Sequence, residues 1–419
     1  MSLILFNKIE TFTSMSILQI TEEEDKTYKA VIQKKGLKYL REMCRGVFNQ
    51  WRSIDIKIAV VGEQGSGKSA FINSIRGLSD GDPGSAETGN TETTKKPKKY
   101  PFPNREKVEI WDLPGFGSTK FKDKEEYIKY VGFSKFDFIL LLSAARFTHN
   151  DAWLAEEILK AKPEQSLFFV RTQIDCDILR YTQGKSRCGI TKDMITKHVR
   201  DLKVNCSREL EAEGIKNYEI FAIDNYNRAL FDFDALVRKL VRTVDVIKTE
   251  ALILSLRGIT TGALSYKLII LQNRISTVSK SAGVEGAYTD RIDKTLPAEV
   301  EVMFEEAQFY REQLGLEQLD IENFAKRFGV DPVMLQRNVE MRSAGVVQNL
   351  ESFAEFYKGY DQFRPEIWHS IPLLGGWLKS KAFQRQCAFT LKAFLDICAK
   401  DVHSMHDYIE IMLRVETTV

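Results

Sequence analysis

The sequence predicts an α/β fold, a mostly parallel and doubly wound sheet, together with an all-helical domain built from the N- and C-terminal segments. Between residues 52 and 244, short apolar runs alternate with helical patterns, which is typical of parallel sheets. Before and after this region, apolar residues recur at helical spacing without a strand pattern. We therefore expect an N-terminal helical segment at 1–51, the α/β domain at 52–244 and a C-terminal helical domain at 245–419.

Five apolar runs predict the strands, and the stretches between them predict the helices. The predicted strands are 54–61, 107–111, 136–143, 166–171 and 218–223, and the predicted helices are 69–76, 124–130, 151–161, 191–213 and 233–244. In the C-terminal block, the segment 276–287, which contains Gly283 and Gly286, and the segment 372–376 are expected to be linkers.

Composition and charge narrow the class of protein. The chain has 60 basic and 58 acidic residues, a formal net charge of +2, so no nucleic-acid partner is expected. Six scattered cysteines without a CxxC pair indicate reduced thiols. The sequence has no secretory signal and no lipidation motif, and its most apolar stretch, 251–271, is expected to be a buried helix. We expect a cytoplasmic protein, with peripheral attachment to intracellular membranes as a further option.

The strongest motif is a phosphate-binding loop. Residues 62–69 read GEQGSGKS, which matches GxxxxGK[ST] between an apolar run and a helical pattern. Glycines let backbone N–H groups point at phosphate oxygens, and the helix that follows adds the positive end of its dipole. Lys68 can reach the β- and γ-phosphates, and the Ser69 hydroxyl can bind Mg²⁺. The predicted nucleotide contacts are Gly62, Glu63, Gln64, Gly65, Ser66, Gly67, Lys68, Ser69 and Ala70.

A DxxG motif follows the second apolar run, at residues 112–115. In a P-loop fold, an aspartate at this strand end approaches the Mg²⁺ shell, and the glycine N–H can meet the γ-phosphate. We therefore predict that Asp112 is a magnesium ligand and that Gly115, together with Lys68, is catalytic.

A guanine site is predicted where the run 166–171 ends. GTP-binding proteins place [NT]KxD here, because the aspartate accepts hydrogen bonds from the guanine N1–H and amino group, a donor pair that adenine lacks. This chain has Thr172, Gln173 and Asp175 at these positions, so glutamine replaces the lysine whose stem packs over the base. Asp224 and Asn225, after the next run, are the other predicted base contacts.

The segment 87–94 (ETGNTETT) is the expected switch I region, where a threonine hydroxyl completes the Mg²⁺ shell. Thr88 and Thr94 are both candidates, and the sequence does not choose between them. Phe116 occupies the position from which a glutamine orients the attacking water in Ras-type GTPases. Because phenylalanine cannot hydrogen-bond to water, either hydrolysis is slow or another group supplies the positioning.

With these motifs, the chain resembles the interferon-inducible immunity-related GTPases over nearly its whole length. The resemblance is carried by GEQGSGKSAFINSIRG, ETGNTETTKKPKKYPFPN, IWDLPGFGSTKF, FDFILLLSAARFTHND and FFVRTQID, and Lys68 matches the subgroup with GKS in this loop. It implies a Ras-like P-loop G domain beside a helical domain, binding of GTP and GDP, slow hydrolysis, and GTP-dependent self-association through the nucleotide faces.

The resemblance also implies that Glu92 acts across such an interface, with the ribose 3′-hydroxyl, and that the protein acts in cell-autonomous immunity at membranes of pathogen-containing vacuoles. Because the myristoylation signal of some members is missing, membrane binding would need an amphipathic helix or a partner. The segment 372–379 is a candidate, although a buried interhelical turn is the favoured interpretation of it.

Three functions remain open at this point. The first is a GTPase that is activated by self-assembly, and the second is a nucleotide-gated scaffold or regulator with little hydrolysis, which Phe116 favours. The third, an ATP-using P-loop enzyme, is disfavoured by Asp175 and by the lack of a kinase-like acceptor site.

Overall fold

A computed structural model of the chain describes residues 19–89, 96–103, 105–115, 123–144, 147–183, 191–228, 230–243, 245–256, 261–289, 296–359 and 376–416. The chain divides into two compact units. One contains Trp51–Ala263, and the other contains Met1–Gln50 together with Leu264–Val419. The domain limits expected from the sequence, between residues 51 and 52 and between residues 244 and 245, stay a prediction.

The first unit is built on a six-stranded sheet with the order β2-β3-β1-β4-β5-β6. The strands are β1 (Ile56–Val61), β2 (Lys98–Phe102), β3 (Arg105–Asp112), β4 (Phe138–Ser143), β5 (Leu167–Arg171) and β6 (Tyr218–Ala222). All neighbours pair in parallel except β2 and β3, which are antiparallel. The expected fold class, a mostly parallel sheet, is therefore confirmed. The expectation missed β2, because its two lysines and its proline hide the strand pattern.

Helices cover the sheet on both faces. The helices of this unit are α3 (Lys68–Ile75), α4 (Lys124–Val131), α5 (His149–Ala161), α6 (Ile174–Thr182), α7 (Lys192–Ala212), α8 (Phe233–Thr243) and α9 (Val246–Ser255). They follow α1 (Glu22–Lys35) and α2 (Leu37–Phe48), which belong to the other unit. Neighbouring residues of a strand point to opposite faces, and both Phe168 and Phe169 are buried, which places a core on each side. The sequence did not predict α6, a short helix directly after β5.

The second unit is helical and contains both chain ends. After α1 and α2 its helices are α10 (Thr261–Tyr288), α11 (Ala298–Leu314), α12 (Gln318–Arg327), α13 (Pro332–Asn338), α14 (Arg342–Val346), α15 (Leu350–Gly359) and α16 (Gly376–Glu416). Leu40 and Cys44 of α2 share a core with Val284 of α10, and Trp377 of α16 packs against it. The all-helical domain built from N- and C-terminal segments is therefore confirmed.

The linker predicted at 276–287 is wrong, because these residues lie inside α10. The two glycines that suggested a linker allow close packing with α16. A Cβ at Gly283 would lie 2.6 Å from the backbone nitrogen of Gln384, and one at Gly286 would lie 2.7 Å from the ring of Phe383. Here glycine serves as a contact surface between helices.

Other expectations for the C-terminal block have mixed outcomes. The segment 251–271 is divided between α9 and α10, and residues 257–260 lie outside the described residues. Residues 372–375 of the candidate membrane segment 372–379 also lie outside the described residues, and Gly376 is the first residue of α16. Within the described ranges, no helix combines the length and apolar character needed to cross a membrane.

Candidate functional site

The phosphate-binding motif forms the turn between β1 and α3. β1 ends at Val61 and α3 begins at Lys68, so the loop leads directly into a helix N-terminus. A Cβ at Gly62 would overlap the carbonyl oxygen of Leu142, and Gly67 has a φ of 78°, in the left-handed region. Both positions therefore require glycine for this backbone path. A loop of this shape at a helix N-terminus presents backbone N–H groups to an anion.

Lys68 is the buried cation of this loop. Only 9% of the residue is exposed, and Nζ donates to the carbonyl oxygens of Gly62 (3.1 Å) and Glu63 (2.8 Å). Burial lowers the pKa of Lys68, and the carboxylates of Asp112 and Glu63 oppose this effect. The ammonium group thus lies against the loop backbone, where charged phosphate oxygens would be stronger acceptors than these neutral carbonyls.

The DxxG segment lies against the phosphate-binding loop. Ser69 Oγ donates to Asp112 Oδ2 at 3.4 Å, at the end of β3. A Cβ at Gly115 would lie 3.1 Å from the carbonyl oxygen of Gly62, so the two backbones are almost in contact. The buried hydroxyl of Tyr127 on α4 donates to the carbonyl oxygen of Pro114 at 2.9 Å and holds this segment in place. No pattern in the sequence pointed to Tyr127.

The loop after β5 is bonded to the phosphate-binding loop. Thr172 Oγ1 donates to the carbonyl oxygen of Ser66 at 2.8 Å, and Gln173 Nε2 donates to that of Gly65 at 2.9 Å. Gln173 has a φ of 56°, which is uncommon for a residue other than glycine. Asp175 follows in the first turn of α6 with its side chain exposed. Since helix N-termini favour negative charge, this carboxylate is well placed to accept hydrogen bonds.

Asp224 and Asn225 lie beside this loop but are engaged in their own contacts. Asp224 Oδ1 accepts hydrogen bonds from the backbone nitrogens of Tyr226 (2.8 Å) and Asn227 (3.2 Å). Burial raises the pKa of Asp224. Asn225 Nδ2 donates to the carbonyl oxygen of Gly67 at 3.3 Å. The two residues therefore shape the loop after β6 and connect it to the phosphate-binding loop.

The other predicted site residues are not brought together here. Thr88 is exposed, two residues after Ala86, whose backbone is held by two hydrogen bonds to Asn73. Gln64 is exposed in the loop, and Ala70 lies in the first turn of α3. Glu92, Thr94 and Phe116 lie outside the described residues.

A contact that the sequence analysis missed joins the phosphate-binding loop to α5. The Glu63 carboxylate accepts hydrogen bonds from Thr148 Oγ1 (3.0 Å) and Asn150 Nδ2 (2.8 Å) at the helix N-terminus. Thr148 and Asp151 also form a capping box, and this spacing is visible in the sequence as a helix start. Nothing in the sequence indicated that Glu63 would be the partner.

A second missed contact fixes α6. Arg171 at the end of β5 forms an ion pair with Asp177 of α6 at 2.5 Å, and both side chains are largely buried. Because Asp175 lies on the same short helix, two residues before Asp177, this ion pair also fixes the helix that carries Asp175.

The elements described above meet at the carboxyl edge of the parallel strands, where ligands bind in open α/β sheets. A phosphate-binding loop at this edge, with an aspartate after the neighbouring strand β3 and another after β5, is typical of the P-loop GTPases. Residues 21–408 match the family described as Interferon-inducible GTPase (IIGP), and the chain belongs to this family.

Individual relatives agree with this membership. T-cell-specific guanine nucleotide triphosphate-binding protein 2 of Mus musculus is 30% identical over 395 residues, which cover 94% of this chain and 89% of that protein. Interferon-inducible GTPase 1 of Mus musculus is 29% identical over 351 residues, which cover 84% and 81%. Among solved structures, the LeoA bacterial dynamin GTPase from ETEC matches with 11% identity and a TM-score of 0.36, over 96% of each chain.

Proposed function

We propose that this protein binds GTP and GDP at the carboxyl edge of the sheet, hydrolyses GTP slowly, and is activated by GTP-dependent self-assembly. The observation that carries the proposal is the contact of three loops at one place. The phosphate-binding loop touches the DxxG segment at Gly115 and the loop after β5 at Thr172 and Gln173.

Phosphate binding would use the backbone of the loop and the charge of Lys68. The N–H groups at the start of α3 and the helix dipole favour an anion. Lys68 would exchange its neutral carbonyl acceptors for phosphate oxygens. Glu63 is held by α5, which keeps the second residue of the loop in a fixed position.

The side chains at the loop fit a magnesium ion. Ser69 Oγ and Asp112 Oδ2 lie 3.4 Å apart, and oxygen atoms are the ligands that this hard cation prefers. Ser69 and Asp112 would hold the ion, with a third oxygen from Thr88 or Thr94. When bound, the ion would neutralise charge on the phosphates.

Base recognition would depend on Asp175, whose carboxylate is exposed at the N-terminus of α6. Thr172 and Gln173 would position this residue through their bonds to the phosphate-binding loop. A carboxylate matches the two N–H donors of guanine, and a hydrogen-bonding site rejects a base that lacks them.

Slow hydrolysis follows from the residue that stands after the DxxG motif. Positioning and charge stabilisation account for most of phosphoryl transfer, and Phe116 offers no hydrogen bond to water. We propose that a second copy of the chain supplies the missing group and that Glu92 takes part in this interface. We further propose that it acts in cell-autonomous immunity, in the cytoplasm and with peripheral attachment to intracellular membranes as an option, and its family membership supports the immune role.

The test is GTP turnover per molecule, measured from nanomolar to tens of micromolar protein, alongside the size of the protein with GDP and with a non-hydrolysable GTP analogue. We expect turnover to rise with concentration and larger species to form only with the analogue. Constant turnover together with an unchanged size would favour the alternative, a nucleotide-gated scaffold with little hydrolysis.

A further inference from the structure

Tyr226 is an exposed aromatic residue at the edge of the candidate base site. In this structure, 67% of it is exposed to solvent, although it directly follows Asp224 and Asn225. Its backbone is well anchored, because its nitrogen donates to Asp224 Oδ1 at 2.8 Å. An exposed ring on a fixed backbone is a surface that a flat ligand can cover.

The loop that carries Tyr226 is bonded to the elements that would hold the phosphates. Asn225 Nδ2 donates to the carbonyl oxygen of Gly67, and the buried Arg228 donates from Nη1 to the carbonyl oxygen of Ser74 on α3 at 2.6 Å. The residues on both sides of Tyr226 are therefore tied to the phosphate-binding loop and to the helix that follows it.

The hydroxyl of Tyr226 reaches across to the loop after α3. It donates to Asp80 Oδ2 at 3.3 Å, and Asp80 Oδ1 accepts a hydrogen bond from Asn73 of α3 at 2.9 Å. Partial burial raises the pKa of Tyr226, and Asp80 and then Asp175 add to the effect. The ring thus bridges two loops and lies within electrostatic reach of the predicted base-reading carboxylate.

Gln173 stands where GTP-binding proteins usually have a lysine that covers the base. A lysine at this position would pack its alkyl stem over the base, but here the side chain is shorter and its amide is bonded to Gly65. One face of a bound base would therefore lack part of its cover. A tyrosine on the neighbouring loop can provide it, since every base has a π-face and aromatic rings stack on it.

We infer that Tyr226 is a base-stacking residue, whose ring covers one face of the guanine that Asp175 recognises. This inference rests on the proposed function of the site. Stacking contributes to affinity for any purine nucleotide, whereas Asp175 selects among the bases. Tyr226 would not contact the phosphates.

The test compares two ligands, GDP and inorganic triphosphate, both with Mg²⁺, by titration calorimetry on the full chain. Tyr226→Ala is expected to weaken GDP binding about tenfold, a size typical of losing one aromatic stack, and to leave triphosphate binding within about twofold. Tyr226→Phe, which keeps the ring and loses the bond to Asp80, is expected to bind GDP within about threefold of the wild type.

Two further variants complete the comparison. Leu230→Ala removes another exposed apolar side chain from the same loop and is expected to change neither ligand. Lys68→Ala is expected to weaken both. Equal weakening of both ligands by Tyr226→Ala, or no weakening of GDP, would overturn the stacking role while leaving the proposed function intact. Failure of the wild-type protein to bind GDP would instead refute the proposed function.

Discussion

Gln173 and Asp175 lie two residues apart, at the N-cap and in the first turn of α6, and we propose different roles for them in base binding. Gln173 joins the loop to Gly65, and Asp175 keeps an exposed carboxylate at the start of α6. An Asp175→Asn variant exchanges an acceptor oxygen for a donor N–H. Xanthine offers a carbonyl where guanine has an amino group, so the amide can donate to it.

We therefore expect Asp175→Asn to shift preference from GTP towards XTP, as measured by competition binding. Asp177→Asn is not a suitable control, since it breaks the ion pair with Arg171. Asp201→Asn, an exposed change on α7, should keep the wild-type preference. If Asp175→Asn also keeps it, another residue recognises the base.

At the level of single residues, the sequence predicted the residues of the phosphate-binding loop but not the side chains that hold this loop in place. The spacing of Gly62, Gly67 and Lys68 is a local pattern that is visible without a fold. By contrast, Glu63 and Thr148 are 85 positions apart, and only the fold, in which α5 packs against β4, the neighbour of β1, brings them together. Tyr127 and Arg171 have partners only 13 and six positions away, but these contacts too depend on the path of the chain between the partners and not on a sequence motif.

The contact between α10 and α16 depends on glycine. A Cβ at Gly283 would lie 2.6 Å and 2.8 Å from backbone atoms of Gln384, which cannot move aside as a side chain can. Overpacking of this kind costs about 1–3 kcal/mol. We expect Gly283→Ala to lower the free energy of unfolding by this amount in urea titrations.

A matched variant on α2 tests the reasoning. Gly46 is also helical, and a Cβ there would meet nothing within 4 Å. Alanine stabilises an exposed helix interior by about 0.5–1 kcal/mol relative to glycine. Gly46→Ala should therefore raise stability, and a loss of stability in both variants would contradict the packing argument.

The N-terminus of α5 carries a buried acid. Asp151 is 2% exposed; burial is the main cause that raises its pKa to about 6, against the hydrogen bonds from Ser143 and Thr148. The unfolded chain releases this proton near pH 3.9. Because the folded state holds the proton more tightly, its contribution to stability is present at low pH and is lost as the pH rises through about 6.

We expect the free energy of unfolding to fall by about 1 kcal/mol between pH 5 and pH 7 because of this residue. Asp151→Asn, which can still accept hydrogen bonds at the helix start, should reduce the pH dependence by that amount. Asp201→Asn should leave it unchanged. Identical pH profiles for Asp151→Asn and the wild type would show that Asp151 is not responsible.

Elements were predicted most reliably where one pattern covered the whole segment. The strands β4 (FILLLS) and β5 (LFFVR) are apolar except at their last residue, and β4 is buried at all six positions. The antiparallel β2 and the nine-residue α6 mix polar and apolar residues without a clear period, so their structure depends on the elements that they pack against. Gly283 and Gly286 of α10 suggested a linker, because glycine is both a common turn residue and the residue that lets two helices pack closely.

The proposed activation by assembly concerns the whole molecule. If a second copy completes the site, turnover should depend on Glu92, whereas nucleotide affinity in the single chain should not. We expect Glu92→Ala to flatten the rise of turnover with protein concentration and to change GTP affinity by less than about threefold, or roughly 0.7 kcal/mol. Lys99→Ala, on the exposed side of β2, is the control with unchanged turnover. A Glu92→Ala protein with a normal concentration dependence would remove this residue from the interface.

The strand β2 has a consequence for how copies can meet. It is one of the two outer strands of the described sheet, and it carries the exposed Lys98 and Lys99 together with Pro101, which has no N–H to donate. Charge and proline on an outer strand discourage another chain from extending the sheet. Under the proposed nucleotide-dependent assembly, contacts between copies must separate again, and the charge and proline of β2 disfavour cross-β association, which is far harder to reverse.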